Sequence, residues 1–197
     1  MKLTRKEVEA TIKCGDGIAV IYRNPNGIAK LLRFFEKGKA SHFIECLGGL
    51  DTVEETIGGG MRTNLYTYLR GDCDLIVKRA RGSLDLREEK IVRDYWLSLV
   101  DKGYGWDSIK RSLLTVPIRR YIKPRFQRLA WALIGFARWL LPGTMPDCSA
   151  AWIRGIRLVR GHVLGGFEPE EVDPEEILRD HFLLTVARWK APILEDK

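Results

Sequence analysis

All but the last of the strand-like runs of this chain are gathered within its first 81 residues, and helical patterns stand before and after them. That order reads as an α+β fold, a small antiparallel sheet packed against helices. The turn signal Gly15-Asp16-Gly17 opens a first apolar run from Ile18 to Tyr22. Residues 41–49 (SHFIECLGG) form a second run with His42 near its start, residues 50–60 (LDTVEETIGGG) a third that ends in glycines, and residues 73–81 (CDLIVKRAR) a fourth. Thr4, with Glu7 three positions on, has the capping pattern of a helix over residues 4–13. Residues 28–37 carry apolar side chains at helical spacing, and Leu86, Ile91, Val92, Tyr95, Trp96, Leu99 and Val100 mark one stripe of a helix over 85–101. A further helix starts at about Cys148, VDPEEILRD is a proline-initiated helical turn, and FLLTVARW is a last strand. No repeat or linker divides the 197 residues, so one domain spanning 1–197 is expected.

The formal charge of +7 suits an acidic partner such as anionic lipid, a cell-wall polymer or nucleic acid. No nucleic-acid recognition motif accompanies it, so that partner is not expected. Four cysteines, Cys14, Cys46, Cys73 and Cys148, form no CxxC pair, and no histidine stands at zinc-finger spacing. We therefore expect a reducing compartment, no disulfide framework, no metal and no cofactor. The charged opening MKLTRKEVEATIK lacks the apolar core of a signal peptide. The longest apolar stretch, Leu129–Leu141, has thirteen residues and contains Arg138, too short to span a bilayer. A cytoplasmic location is the expectation.

One cysteine is placed for chemistry. Cys148 stands where turn residues give way to a helix, and the partial positive charge and free N–H groups of a helix start favour a thiolate. Its base has to be a histidine brought near by the fold. His42 lies on a strand, which would aim it rigidly; His162 and His181 read as surface residues. A third group should fix the imidazole tautomer. Glu54 and Glu55 on the next strand are the candidates, and only one of two neighbouring strand residues can face His42. Glu45, three residues from His42, should face the other side.

These pieces, in this order, resemble the circularly permuted NlpC-type papain-like cysteine peptidases, often called YiiX-like. Ordinary papain-like enzymes place the cysteine helix before the histidine strand; the permuted group places it late, as here. Gly15-Asp16 with its following strand resembles the opening "GD" segment, and Ser41-His42-Phe43-Ile44 resembles "SHVGI". Val53-Glu54-Glu55-Thr56, with Gly60-Met61 and Leu65 beyond, is similar to "VIEA…GV…L", which puts Glu55 on the family's glutamate. Gly103-Tyr104-Gly105-Trp106-Asp107 resembles "GxxYD", Asp147-Cys148-Ser149-Ala150-Ala151-Trp152-Ile153 resembles "YCSELV", and Asp173-Pro174 resembles the closing "TPGDL". The resemblance implies a thiol hydrolase with Cys148 as nucleophile, His42 as base beside it and Glu55 orienting His42. Its substrate would be a peptide or acyl compound, cell-wall peptides among them. Two other readings stand beside it: a non-catalytic binding or scaffold protein on a degenerate papain-like fold, and a lipid acyl hydrolase or acyltransferase at a membrane surface.

Residues 117–143 are the least family-like part and are read as a basic-aromatic helical insertion. An anionic membrane surface is one expected partner for it. The competing reading packs it on the core through a stripe of Leu129, Leu133 and Phe136, with the arginines as its solvated face.

Overall fold

A computed structural model describes residues 3–25, 27, 30, 39–40, 42–56, 59–102, 114–115, 117–140, 148–161, 174–180 and 183–192. Among them runs a six-stranded antiparallel sheet: β1 (Gly17–Tyr22), β2 (His42–Gly48), β3 (Asp51–Thr56), β4 (Gly59–Asn64), β5 (Cys73–Ala80) and β6 (Leu183–Lys190), in spatial order β4-β3-β2-β1-β5-β6. The helices are α1 (Arg5–Thr11), α2 (Tyr66–Leu69), α3 (Leu86–Leu97), α4 (Gln127–Leu140), α5 (Cys148–Arg160) and α6 (Pro174–Arg179), with a short wide turn of helix at Ile118–Ile122 before α4. The α+β class read from the sequence is the class observed. The expected helix over 28–37, the turn at 103–107, His162 and His181 lie outside the described residues.

Side-chain alternation splits the sheet into two buried faces. Ile18 and Val20 of β1, Ile44 and Cys46 of β2, and Leu75 and Val77 of β5 meet Val8 and Ile12 of the α1 segment and Leu65 and Leu69 around α2. The alternate residues Ala19, Phe43, Leu47, Val53 and Ala80 meet Val92 and Trp96 of α3, Trp152, Ile153 and Ile156 of α5, and Ile177 of α6. A sheet covered on both faces explains why its strands read as near-continuous apolar runs.

Local chemistry sets the ends of the elements. Thr4 caps α1 and exchanges bonds with Glu7, the reciprocal box that the spacing predicts. Asp85 and Glu88 do the same for α3. Asp16, fully buried, enters β1 as the anchor of an ion pair: Arg79 Nε and Nη2 donate to its two carboxylate oxygens at 2.6 Å each, and the Lys13 N–H donates at 2.9 Å. A buried charge held this way is compensated on both oxygens.

The third strand, expected to run to the glycines at its end, stops at Thr56. Gly59 and Gly60 instead belong to a further strand, β4, which pairs Glu54 with Met61 and Glu55 with Gly60. A side chain at Gly60 would stand 2.2 Å from the Leu99 carbonyl oxygen. Only glycine lets the strand come this close to the end of α3, where Gly60 N–H donates to Lys102 O and Asp101 N–H to Gly60 O.

Candidate active site

Helix α5 lies along β1 and β2 and runs against the direction of β1. Near its middle, the Trp152 ring packs on Phe43 at 5.3 Å between centroids, and its indole N–H donates to Gly15 O at 3.1 Å. A β-carbon on Gly17 would collide with both rings, so glycine there is what admits Trp152. One turn further on, Ile156 reaches Gly15 and Leu84. Cys148 is therefore displaced from Trp152 the other way, by about 6 Å at 1.5 Å per residue. At about 3.3 Å per strand residue that is about two residues along β1, to about the level of Ala19.

Cys148 is the partly exposed member of the four cysteines; the other three are buried. Burial raises the thiol pKa of each of those three: Cys14, Cys46 well above its usual value, and Cys73 to about 11. They stay protonated and unreactive at neutral pH. Cys148, first residue of the 13-residue α5, has the helix start that the sequence predicts.

His42, first residue of β2, hydrogen-bonds through Nε2 to Glu54 Oε2 at 2.7 Å; the two side chains retain 14% and 8% of their accessible surface. The Tyr68 hydroxyl, on α2, donates to the same Glu54 oxygen. Burial pushes the Glu54 carboxyl pKa up, but the bonds from His42 and Tyr68, with a smaller contribution from Thr63, outweigh it and hold the group below its ordinary value. Glu54 is thus a fixed carboxylate. Tyr68 also interacts with Tyr22, and burial together with Glu54 raises the Tyr68 pKa far beyond the neutral range. Burial likewise raises Tyr22, to which the charge of a Cys148 thiolate adds. A chain of contacts, His42–Glu54–Tyr68–Tyr22, so ends within electrostatic reach of Cys148. Among the described residues no hydrogen bond takes His42 Nδ1.

The carboxylate against His42 is Glu54, which corrects the assignment of Glu55. The register explains it: Ile44 stands opposite Glu54, so His42, two residues from Ile44, shares a face with Glu54 and not with Glu55. Glu55 is 3% exposed on the opposite face, the one covered by α3 and α5, where it neighbours Glu45, itself fully buried. Glu45 faces away from His42, as expected. Burial, and then the proximity of Glu55, push the Glu45 pKa well above the usual carboxyl range. Tyr68 and Tyr22 were not found from the sequence. Tyr22 closes the first apolar run in alternation with Val20, the residue opposite His42, and this was its one available signal. Tyr68 sits in a four-residue helix and carried none.

Among the described residues no group of three or more His, Cys, Asp or Glu side chains converges as a metal-ligand set, and no helix is long and apolar enough to cross a membrane.

The architecture is that of an α+β protein of YiiX-like fold. The comparison that carries this is with the crystal structure of the metalloprotein YiiX from Escherichia coli O157:H7, which superposes with a TM-score of 0.51 over 91% of this chain and 98% of that one, at 16% sequence identity. No protein-family model and no curated protein matches the sequence.

Proposed function

We propose that this chain is a cysteine hydrolase on a circularly permuted papain-like fold, built as one domain over residues 1–197. The observation that supports the reading is the His42–Glu54 bond, taken with a cysteine, Cys148, as first residue of α5. With Nε2–H donated to Glu54, the lone pair of the neutral ring is on Nδ1, and Nδ1 is the nitrogen left for the thiol. His42 Nδ1 takes the proton of Cys148 Sγ, and the sulfur attacks the carbonyl carbon of an amide or ester. The backbone N–H of Cys148, at the helix start, donates to the oxyanion that forms. Collapse breaks the C–N or C–O bond, and Nδ1–H protonates the leaving amine or alcohol. Water, deprotonated by Nδ1, then attacks the thioester, and the carboxylic acid leaves as the thiol is restored. Glu54 stabilises the imidazolium that appears twice in this cycle. A basic surface suits an anionic peptide or acyl substrate, with cell-wall peptides the first class to try.

The test is intact-mass analysis during turnover of an activated peptidyl ester. An acyl adduct on Cys148 that decays with time, and is absent in Cys148→Ser, supports the proposal. A wild-type protein that neither forms an adduct nor turns the ester over sinks it in favour of the non-catalytic scaffold reading, and a Cys148→Ser protein that still turns the ester over sinks Cys148 as the nucleophile.

A further inference from the structure

Helix α4 is built the wrong way round for a helix that solvates its outer face. Its buried residues are Ala130, Ile134 and Ala137, an i, i+4, i+7 stripe of mostly small side chains. The large apolar residues point outward: Leu129 is 52% exposed, Phe136 58%, Trp139 74% and Leu140 53%. The stripe Leu129, Leu133, Phe136 read from the sequence is therefore not the packing stripe. The helix is turned by one residue, about 100°, which buries the alanines and leaves the larger side chains outward. Phe136 and Trp139 stack on each other at 5.8 Å, and Phe126, just before the helix, adds a further exposed ring at 62%. An outward patch of this composition on a water-soluble surface marks something that covers it.

Charge decides what covers it. From residue 108 to 146 the sequence holds eight of the 33 lysines and arginines and none of the 26 acidic residues. The rest of the chain has 25 basic and 26 acidic residues, so the whole net positive charge resides in this stretch. Arg125 and Arg128 are exposed beside the apolar patch, and the Lys123 ammonium lies 4.4 Å from the centre of the Trp131 ring. A second copy of the chain docking through the same face would set like charges against each other. An anionic lipid surface offers phosphate to the cations and the acyl boundary to the rings, the region where tryptophan and phenylalanine partition. The helix is too short to cross the bilayer, so it lies in the interface.

We infer that α4 is an interfacial helix that docks this protein on anionic bilayers, with Trp139, Phe136, Leu129 and Leu140 entering the headgroup boundary. The inference stands whether or not Cys148 is a nucleophile. Vesicle flotation of the full chain tests it, with phosphatidylglycerol–phosphatidylcholine vesicles against phosphatidylcholine alone. Binding to the anionic vesicles should exceed binding to the neutral ones by about tenfold or more and should fall by a similar factor between about 0.1 M and about 1 M salt. Trp139→Ser with Phe136→Ser, and separately Arg125→Gln with Arg128→Gln, should each weaken it about tenfold, while Trp139→Phe retains it. Because these positions are exposed, the thermal melt should not move. No preference for anionic vesicles would overturn the inference. So would binding that the serine pair leaves unchanged, which is adsorption by charge alone. A concentration-dependent dimer abolished by the serine pair, or a duplex oligonucleotide bound more tightly than the vesicles, would also overturn it.

Discussion

Glu54 and Glu55 are consecutive residues of β3, both nearly buried, and the sheet gives them opposite fates. Glu54 meets an imidazole and a phenol and is held as a carboxylate. Glu55 meets a second glutamate, Glu45, under the helix layer that also brings Tyr95 and Arg154 to the pair. Burying a charged carboxylate costs several kcal/mol unless partners compensate it, and placing a second carboxylate beside it adds to that cost. On one face the partners are present and the charge wins. On the other, desolvation wins and Glu45 keeps its proton. The difference shows that in this fold a carboxylate's chemistry is set by strand parity, not by its place in a motif.

The sharpest way to break this comparison is to remove one charge at a time. Glu54→Gln should lower esterase turnover about a hundredfold, the scale of a general-base contribution, because the imidazole loses its orienting anion. Glu55→Gln should leave turnover within about threefold of wild type. Equal losses would mean that both faces feed the site. Stability gives a second contrast. Glu54 has a folded pKa below its unfolded one, so its stabilisation is complete above the ordinary carboxyl range and is lost as pH falls through the depressed value. Glu54→Gln should therefore lower Tm at pH 7 by about 4–8 °C, for about 2 kcal/mol of charged hydrogen bonds, and the gap should close in acid. Glu45 has the opposite sign. Its folded pKa is raised, so its contribution is full at acid pH and is lost as pH rises toward that value. Glu45→Gln should raise Tm by about 2–4 °C at pH 8 and leave it unchanged near pH 4, as scanning calorimetry would record. A destabilised Glu45→Gln protein at pH 8 would show that the pair is held as an ion cluster. The smallest change is Tyr68→Phe, which removes one donor from Glu54. A loss of about 1 kcal/mol and a fewfold drop in turnover are expected, with Tm and rate moving together.

Much of the frame was legible because its signals are local. The Thr4–Glu7 box, the apolar runs of β1, β2, β3 and β5, the helix over Leu86–Leu97, the start of α5 at Cys148 and the last strand each follow from spacing within a few residues. β4 was not, because an edge strand reading Gly59-Gly60-Met61-Arg62-Thr63-Asn64 has glycines where it docks and polar residues where it is exposed. The choice between Glu54 and Glu55 needed the pairing register, a non-local quantity that turns on a single residue. Motif alignment supplied the wrong parity there. The face of α4 failed for a related reason: Leu129-Leu133-Phe136 and Ala130-Ile134-Ala137 are equally periodic, and hydrophobicity alone favours the larger set.

The most direct measurement is the pH dependence of alkylation at each of the four cysteines, followed by peptide mass spectrometry in the wild type and in His42→Ala. If His42 activates the thiol, Cys148 reacts first by a wide margin, its rate stays high below the ordinary thiol pKa of about 8.5, and His42→Ala removes that low-pH reactivity. A Cys148 rate that simply rises through the ordinary thiol range, and that His42→Ala leaves unchanged, would contradict a catalytic thiol at the head of α5.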